Sequence, residues 1–323
     1  MGAISIQNVS FGYDDAPHAT ARDREGAELV LRDISLEVPD GQFLCLIGHS
    51  GCGKSTLLRL LLGLSRPDSG TVLINGKKVE GPGLDRSIVF QNYSLFPWMT
   101  ARKNVEFGIE QASKILGRDL SKEQIRRQAQ LNLERVGMDE AAEKYPYQLS
   151  GGMQHRVAIA RALAMDTQIL LFDEPFGALD VRTRRSLQEL VDRLWRSGET
   201  RKTVVFVTHD ISEAVLLADR VVFMGHGAVM ADVMVDLPRP RRAEELRRSP
   251  KAEELRALLT DLFYQDGPVS GEEGLNELEG LDALDSLGGL DAREGSAELE
   301  DFDSFTLNSA DSDRGRGWPW KRR

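Results

Sequence analysis

The sequence is poor in cysteine, in long apolar runs and in basic surface. Cys45 and Cys52 are its only thiols in 323 residues. Two in a chain of this length build no disulfide framework, which fits a reducing compartment. No stretch approaches the roughly 18 apolar residues of a membrane span. The densest, LLRLLLGL at 57–64, is short and interrupted. The opening MGAISIQNVSF has neither a basic stretch nor an extended apolar core, so no secretory signal is read there. Ile6 stands where a myristoylation pattern needs Ser or Thr. The net charge of −10 gives no sign of a nucleic-acid-binding surface. The chain is expected to be soluble, or peripheral through a partner.

The negative charge is local. Residues 266–313 carry fifteen acidic side chains against one basic, and the last ten residues carry five cations. The rest of the chain is nearly neutral. In the acidic stretch leucines recur at 275, 278, 281, 284, 287 and 290. A period of three slips by about 60° per step on an α-helix, so no apolar face forms. The segment is read as a disordered tail, with two roles open to it: an inert solubilising sequence, or docking on a basic surface of the cassette or a partner. The closing RGRGWPWKRR pairs tryptophans with cations, a mixture suited to an anionic membrane surface.

The body alternates in element type. AISIQNVSFGY and LVLRDISLEVP have the period of half-buried antiparallel strands, separated by a polar loop at 14–28. GQFLCLIG is dense enough for a strand buried on both faces, and KSTLLRLLLGL follows it as a helix. SKEQ at 121–124 has the Ser-x-x-Gln form of a capping box and opens a helix reaching Arg135. QILLFD, TVVFVTH and VVFMGHG then read as strands between helices at 181–195 and 212–220, with one or two closing helices over 243–264. The predicted class is α/β, with a parallel sheet covered on both faces.

GHSGCGKS, residues 48–55, fits G-x-x-x-x-G-K-[ST] and lies between a strand and a helix, as that motif requires. Glycines let successive N–H groups curl around phosphate oxygens, and the helix N-terminus adds its positive dipole end. Lys54 is placed for the β- and γ-phosphates and Ser55 for Mg²⁺. ILLFDEP supplies a strand ending in Asp173, suited to hold Mg²⁺ through water. Glu174 follows it and can orient or deprotonate an attacking water. That pair points to hydrolysis; the plainer alternative is an acidic cap on the next helix.

LSGGMQHRVAIARAL, residues 149–163, raises a second question. Ser150, Gly151 and Gly152 open a helix in the manner of another anion site. One domain holds one ATP, so this second site makes sense if it faces the γ-phosphate held by a second copy. Two chains would pack head to tail with two ATP molecules between them, in an isologous interface.

The ordered motifs resemble those of the ATP-binding subunit of ABC transporters, over residues 3–242. GHSGCGKST is similar to the Walker A loop, FQNYSLFPW to the Q-loop, LSGGM to the signature, LLFDEP to Walker B, GALD to the D-loop and VTHD to the switch. The resemblance implies a P-loop, RecA-like core with an antiparallel β subdomain and an inserted helical subdomain. It places Gly48, His49, Ser50, Gly51, Cys52, Gly53, Lys54, Ser55 and Thr56 around the phosphates of ATP. It also puts Tyr13 on the adenine and Gln91 on Mg²⁺ or water, coupling the site to the partner. Asp180 takes the D-loop position, and His209 lies at the γ-phosphate beside Glu174. Met153 and His155 depart from the usual glutamines, and the loop after Tyr13 is longer than usual.

The implied organisation is a cassette over 1–242, a helical extension over 243–265 and the acidic tail over 266–323. A homodimer would bind separate permease subunits at the cytoplasmic face of the membrane, with a solute-binding protein acting through them and no nucleic acid. SLFPWMT and VDLPRPRR resemble the nitrate, sulfonate, taurine and bicarbonate importer group, and cassettes for pyrimidine precursors end similarly. The alternative is a non-transport ABC ATPase with a single cassette, such as one for iron–sulfur assembly. Repair and translation types are excluded by the lack of sustained heptads and by the single occurrence of each motif.

Overall fold

The computed structural model describes residues 2–13, 29–177, 179–197 and 201–265. The chain divides into two units, Met1–Gly267 and Pro268–Arg323, and every described residue belongs to the first. The polar loop at 14–28 and the acidic segment at 266–323 lie outside the described residues.

β1 (Ile4–Gly12) and β2 (Leu29–Val38) pair antiparallel, with Ile4 opposite Val38 and Ile6 opposite Leu36. Their alternation is broken once in each strand. β1 buries Ile4 and Ile6, then Val9 and Phe11; β2 buries Leu31, then Ile34 and Leu36. The slips fall at Asn8 and Asp33, both at φ 49°. Asn8 Nδ2 donates to Asp33 Oδ1 at 3.0 Å, joining the two irregularities. Each extra residue restores the phase and keeps the apolar side chains on one face.

β3 (Phe43–Ile47) leads through the glycine loop into α1 (Lys54–Leu62). β4 (Ser69–Ile74) and β5 (Lys77–Lys78) complete the antiparallel sheet in the order β2-β1-β4-β5. β6 (Arg86–Val89) precedes three helices, α2 (Ala101–Ile115), α3 (Lys122–Arg135) and α4 (Gly151–Ala164). Then follow β7 (Ile169–Asp173), α5 (Val181–Arg196), β8 (Thr203–Val207) and α6 (Ile211–Leu217). β9 (Arg220–Gly225), β10 (Ala228–Met234), α7 (Ala243–Arg247) and α8 (Pro250–Gln265) close the unit. The second sheet has the order β10-β9-β3-β8-β7-β6, parallel except for the hairpin partner β10. β3 and β8 are buried at every residue, the pattern of strands covered on both faces.

Two core layers flank the parallel sheet. In one, Leu57, Leu58 and Leu61 of α1 pack with Ile6 and Leu31 of the antiparallel sheet and with Leu44 and Val205 of the parallel one. A helix between two sheets needs apolar residues around most of its circumference, which accounts for LLRLLL. In the other layer Phe43, Cys45, Phe172 and Phe206 meet residues of α2 to α6 and of α8. α3 opens with the capping box read from SKEQ. Ser121 Oγ accepts from Gln124 N at 3.2 Å, and Gln124 Oε1 accepts from Ser121 N at 2.8 Å. α2, β4, β5 and β10 are elements that the sequence reading did not include. α2 nevertheless carries a local signal: Thr100 caps it and Val105, Ile109 and Ala112 fall on one buried face.

Candidate functional site

The C-terminal edge of the parallel sheet gathers the reactive groups. β3 runs into the loop at 48–53, β6 is followed by Gln91, β7 ends on Asp173, and β8 is followed by Thr208 and His209. In open α/β sheets ligands sit outside this edge of the strands.

Gly48 passes so close to β9 that a Cβ would stand 2.1 Å from Met224 O. Gly51 has open space around it, but its φ of 81° favours glycine. Gly53 caps α1 without any side-chain bond, which leaves the first-turn amides and the dipole end to an anion. Lys54 is buried, and its Nζ donates to Gly48 O at 2.7 Å and His49 O at 2.8 Å. These neutral acceptors are weaker partners than phosphate oxygens. Cys52 is buried beneath the loop, with Sγ 3.8 Å from Lys54 Nζ, and Ser50 is exposed. Neither cysteine forms a disulfide. Thr56 Oγ1 is 3.1 Å from the hydroxyl of Tyr13, whose half-exposed ring stands edge-on to Phe11.

Ser55 Oγ donates to Asp173 Oδ1 at 2.9 Å. Burial pushes the Asp173 carboxyl up, the Ser55 hydrogen bond pulls it down, and the charge of Glu174 pushes it up again. Glu174 has φ 44°, a left-handed conformation that costs a non-glycine residue about 1–2 kcal/mol. Its N–H donates to Val207 O at 3.1 Å, and its Oε2 lies 3.2 Å from His209 Nδ1. That contact holds the Glu174 carboxyl below its usual range against the effect of burial, and raises the His209 imidazole, again against burial. Around Gly177, a Cβ would stand 3.8 Å from Gln91 Nε2 and 3.9 Å from His209 Cε1. Gln91, His209 and Glu174 therefore converge, although they leave three different strands.

The second glycine motif has local packing reasons of its own. Ser150 caps α4 and accepts from Met153 N at 3.4 Å. A Cβ on Gly151 would stand 2.7 Å from the Tyr93 hydroxyl, and one on Gly152 would stand 2.3 Å from Thr183 Cγ2. Asp180 caps α5 by accepting from Thr183 N at 3.1 Å, a bond that helps hold its carboxyl low. The helix cap is thus Asp180, not the Asp173–Glu174 pair.

The sequence profile of the ABC transporter family matches residues 31–177. The nitrate import ATP-binding protein NrtD of Synechococcus elongatus is 44% identical over 261 residues, covering 80% of this chain and 93% of that protein. The chain belongs to the ABC transporter ATP-binding subunits. The cassette is also similar to the bicarbonate transport ATP-binding protein CmpD of the same organism, at 45% identity over 81% of this chain and 90% of the relative. The nitrate transport protein NasD of Klebsiella oxytoca is 42% identical over 82% of the chain and 97% of the relative. A solved dimer of the ATP-binding cassette MJ0796 with ADP and Pi matches with a TM-score of 0.61 and 31% identity, over 73% of this chain and all of that one. The chain is accordingly an ATP-binding subunit and an ATPase.

Three residues beside this candidate site went unread in the sequence. Tyr93 and Ser94, after Gln91, have φ of 56° and 47°, and their carbonyls accept from Arg161 of α4 at 3.5 Å and 2.8 Å. Behind His209, buried Glu213 accepts from Thr208 Oγ1 at 2.7 Å and Gln188 Nε2 at 3.0 Å. No local pattern announces these contacts, because each joins separate elements.

Proposed function

We propose that this ABC ATPase powers import of a small inorganic anion, with composite ATP sites in a head-to-tail homodimer. The observation that carries the reading is the pair of contacts at adjoining strand ends, Ser55 with Asp173 and Glu174 with His209. In this reading Gly48, His49, Ser50, Gly51, Cys52, Gly53, Lys54 and Thr56 surround the phosphates, and Tyr13 stacks on the adenine. Ser55, Asp173 and Gln91 offer only oxygen donors, the chemistry that suits Mg²⁺. The ion, when bound, neutralises phosphate charge. Glu174 is held ionised to take the proton of an attacking water. His209 engages it through Nδ1, which turns Nε2 to the γ-phosphate.

Ser150, Gly151, Gly152 and Asp180 serve the ATP of the other copy. Their nearest own-chain neighbours are Tyr93, Met153, Leu179 and Thr183, none of them a residue of the glycine loop. The similar solved cassette is a dimer. Permease subunits carry the solute, since among the described residues no helix is long and apolar enough to cross a membrane. The named activities of NrtD, NasD and CmpD support nitrate or bicarbonate as the type of solute, delivered by a solute-binding protein. This assigns 1–242 to the cassette, 243–265 to a helical extension and 266–323 to an acidic tail, at the cytoplasmic membrane face, with no nucleic acid as partner.

Glu174→Gln tests the composite site. It should lower turnover by about 10²–10⁴-fold and leave an ATP-dependent dimer visible by size-exclusion chromatography. Adding Ser150→Arg should abolish that dimer while a fluorescent ATP analogue still binds the monomer. A double variant that dimerises with ATP as readily as Glu174→Gln alone would refute the arrangement.

A further inference from the structure

α8 ends on the glycine loop. Ala252 and Leu259 anchor the helix in the core against α6. One turn beyond Leu259, the ring of Phe263 lies 4.0 Å from that of His49, tilted by 45°, and 6.1 Å from Phe223 of β9. His49 Nε2 is 2.8 Å from Phe263 O. A carbonyl only accepts, so Nε2 carries the proton and donates. Phe263 O is among the last carbonyls of α8, which have no partner within the helix. His49 therefore caps α8 from inside the phosphate loop.

The main chain of His49 faces the other way. Its carbonyl accepts from Lys54 Nζ at 2.8 Å and from Cys52 N at 3.3 Å. One residue thus joins the helix end outside the loop to the cation inside it. Gly48, just before, is wedged against Met224 O of β9. The first two loop residues are held between β9 and α8, while Ser50 and Gly51 beyond them are exposed.

We propose that α8 clamps the glycine loop: Phe263, 214 residues downstream of His49, is a positioning residue that presets the loop amides and Lys54 for the phosphates of ATP. The claim rests on the reading of loop 48–56 as the ATP site. A loop already ordered loses less conformational freedom on binding, so the clamp acts on affinity rather than on the chemical step.

The test uses the full chain, titrated with a fluorescent ATP analogue and assayed for phosphate release. Phe263→Ala and His49→Ala should each raise Kd and the KM for ATP by about three- to tenfold, the worth of one ordinary contact. For Phe263→Ala, kcat at saturating ATP should stay within about twofold and the melting transition should stay cooperative. The milder Phe263→Leu should act in the same direction should the alanine variant fold poorly. The double variant should bind about as weakly as His49→Ala alone, because Phe263 acts through the His49 ring, and the hydrogen bond to the Phe263 main-chain carbonyl is lost only with His49. Leu258→Ala, on the exposed side of the same helix, should leave Kd in place. Unchanged Kd in both Phe263 variants, additive losses in the double variant, or an equal loss in Leu258→Ala would overturn the clamp. Lys54→Ala separates the clamp from the nucleotide site itself. If it abolishes nucleotide binding while Phe263→Ala changes nothing, only the clamp fails; if it binds like the parent, the loop assignment fails and the clamp with it.

Discussion

His155 sits on α4 with 1% of its surface exposed, and neither ring nitrogen has a hydrogen-bond partner among the described residues. The rings of Tyr93 and Phe176 stand edge-on to it at 4.3 and 6.4 Å. Burial lowers its pKa from 6.5 to about 4. Between those values the unfolded chain takes a proton that the folded one refuses, so stability falls as pH drops, by roughly 2–3 kcal/mol across the window. Glu213 acts in the opposite sense. Burial raises it from 4.5 to about 7, so the folded form keeps a proton that the unfolded form releases, and stability falls as pH rises through that range. His155→Gln should therefore flatten only the acid-side loss in a series of melting curves from pH 7 to 4.5. An acid limb as steep as the parent's would assign it to another group. In the sequence His155 was legible as a departure from a motif. Its burial without a partner was not, because that depends on which rings the fold places around it.

At the scale of elements, VDLPRPRR at 235–242 supported a likeness to one importer group in sequence and proves to be a structural tie. The Arg241 guanidinium is buried and donates to four carbonyls, those of Val215, Ala218, Val235 and Leu237. Arg239 reaches Asp192 at 2.9 Å and Asp219 at 3.0 Å, and stacks over Trp195 at 4.5 Å. Together they bind α5, the end of α6 and the segment after β10. Arg241→Ala leaves several buried acceptors unpaired and should cost on the order of 2–4 kcal/mol by denaturant titration. Lysine should not restore it, for want of the planar fork. Arg242→Ala, whose side chain is exposed, should stay within about 0.5 kcal/mol. If Arg241→Ala unfolds at the parent's midpoint, the tie carries no stability. The strands and helices with strong local period were readable beforehand. The bulges at Asn8 and Asp33 were not, because a change of phase within a strand is decided by the partner strand.

For the whole molecule, the ATP site and the solute lie on different chains in the proposed assembly. Nitrate or bicarbonate should therefore leave the ATPase rate of the isolated chain unchanged. With permease subunits and a loaded solute-binding protein in vesicles, the same anion should raise the rate several-fold, read as phosphate release. Equal rates with loaded and empty binding protein would refute the importer reading. The amino-acid order alone determined the glycine loop, the carboxylate pair, the capping box and the family, because each depends on residues within one turn or one strand end. Only the tertiary structure decided that Ser55 meets Asp173, 118 positions away, that Glu174 meets His209, and that Phe263 rests on His49. Those meetings follow from how sheets and helices pack across a shared core, and the residues between the partners carry no local pattern that specifies them.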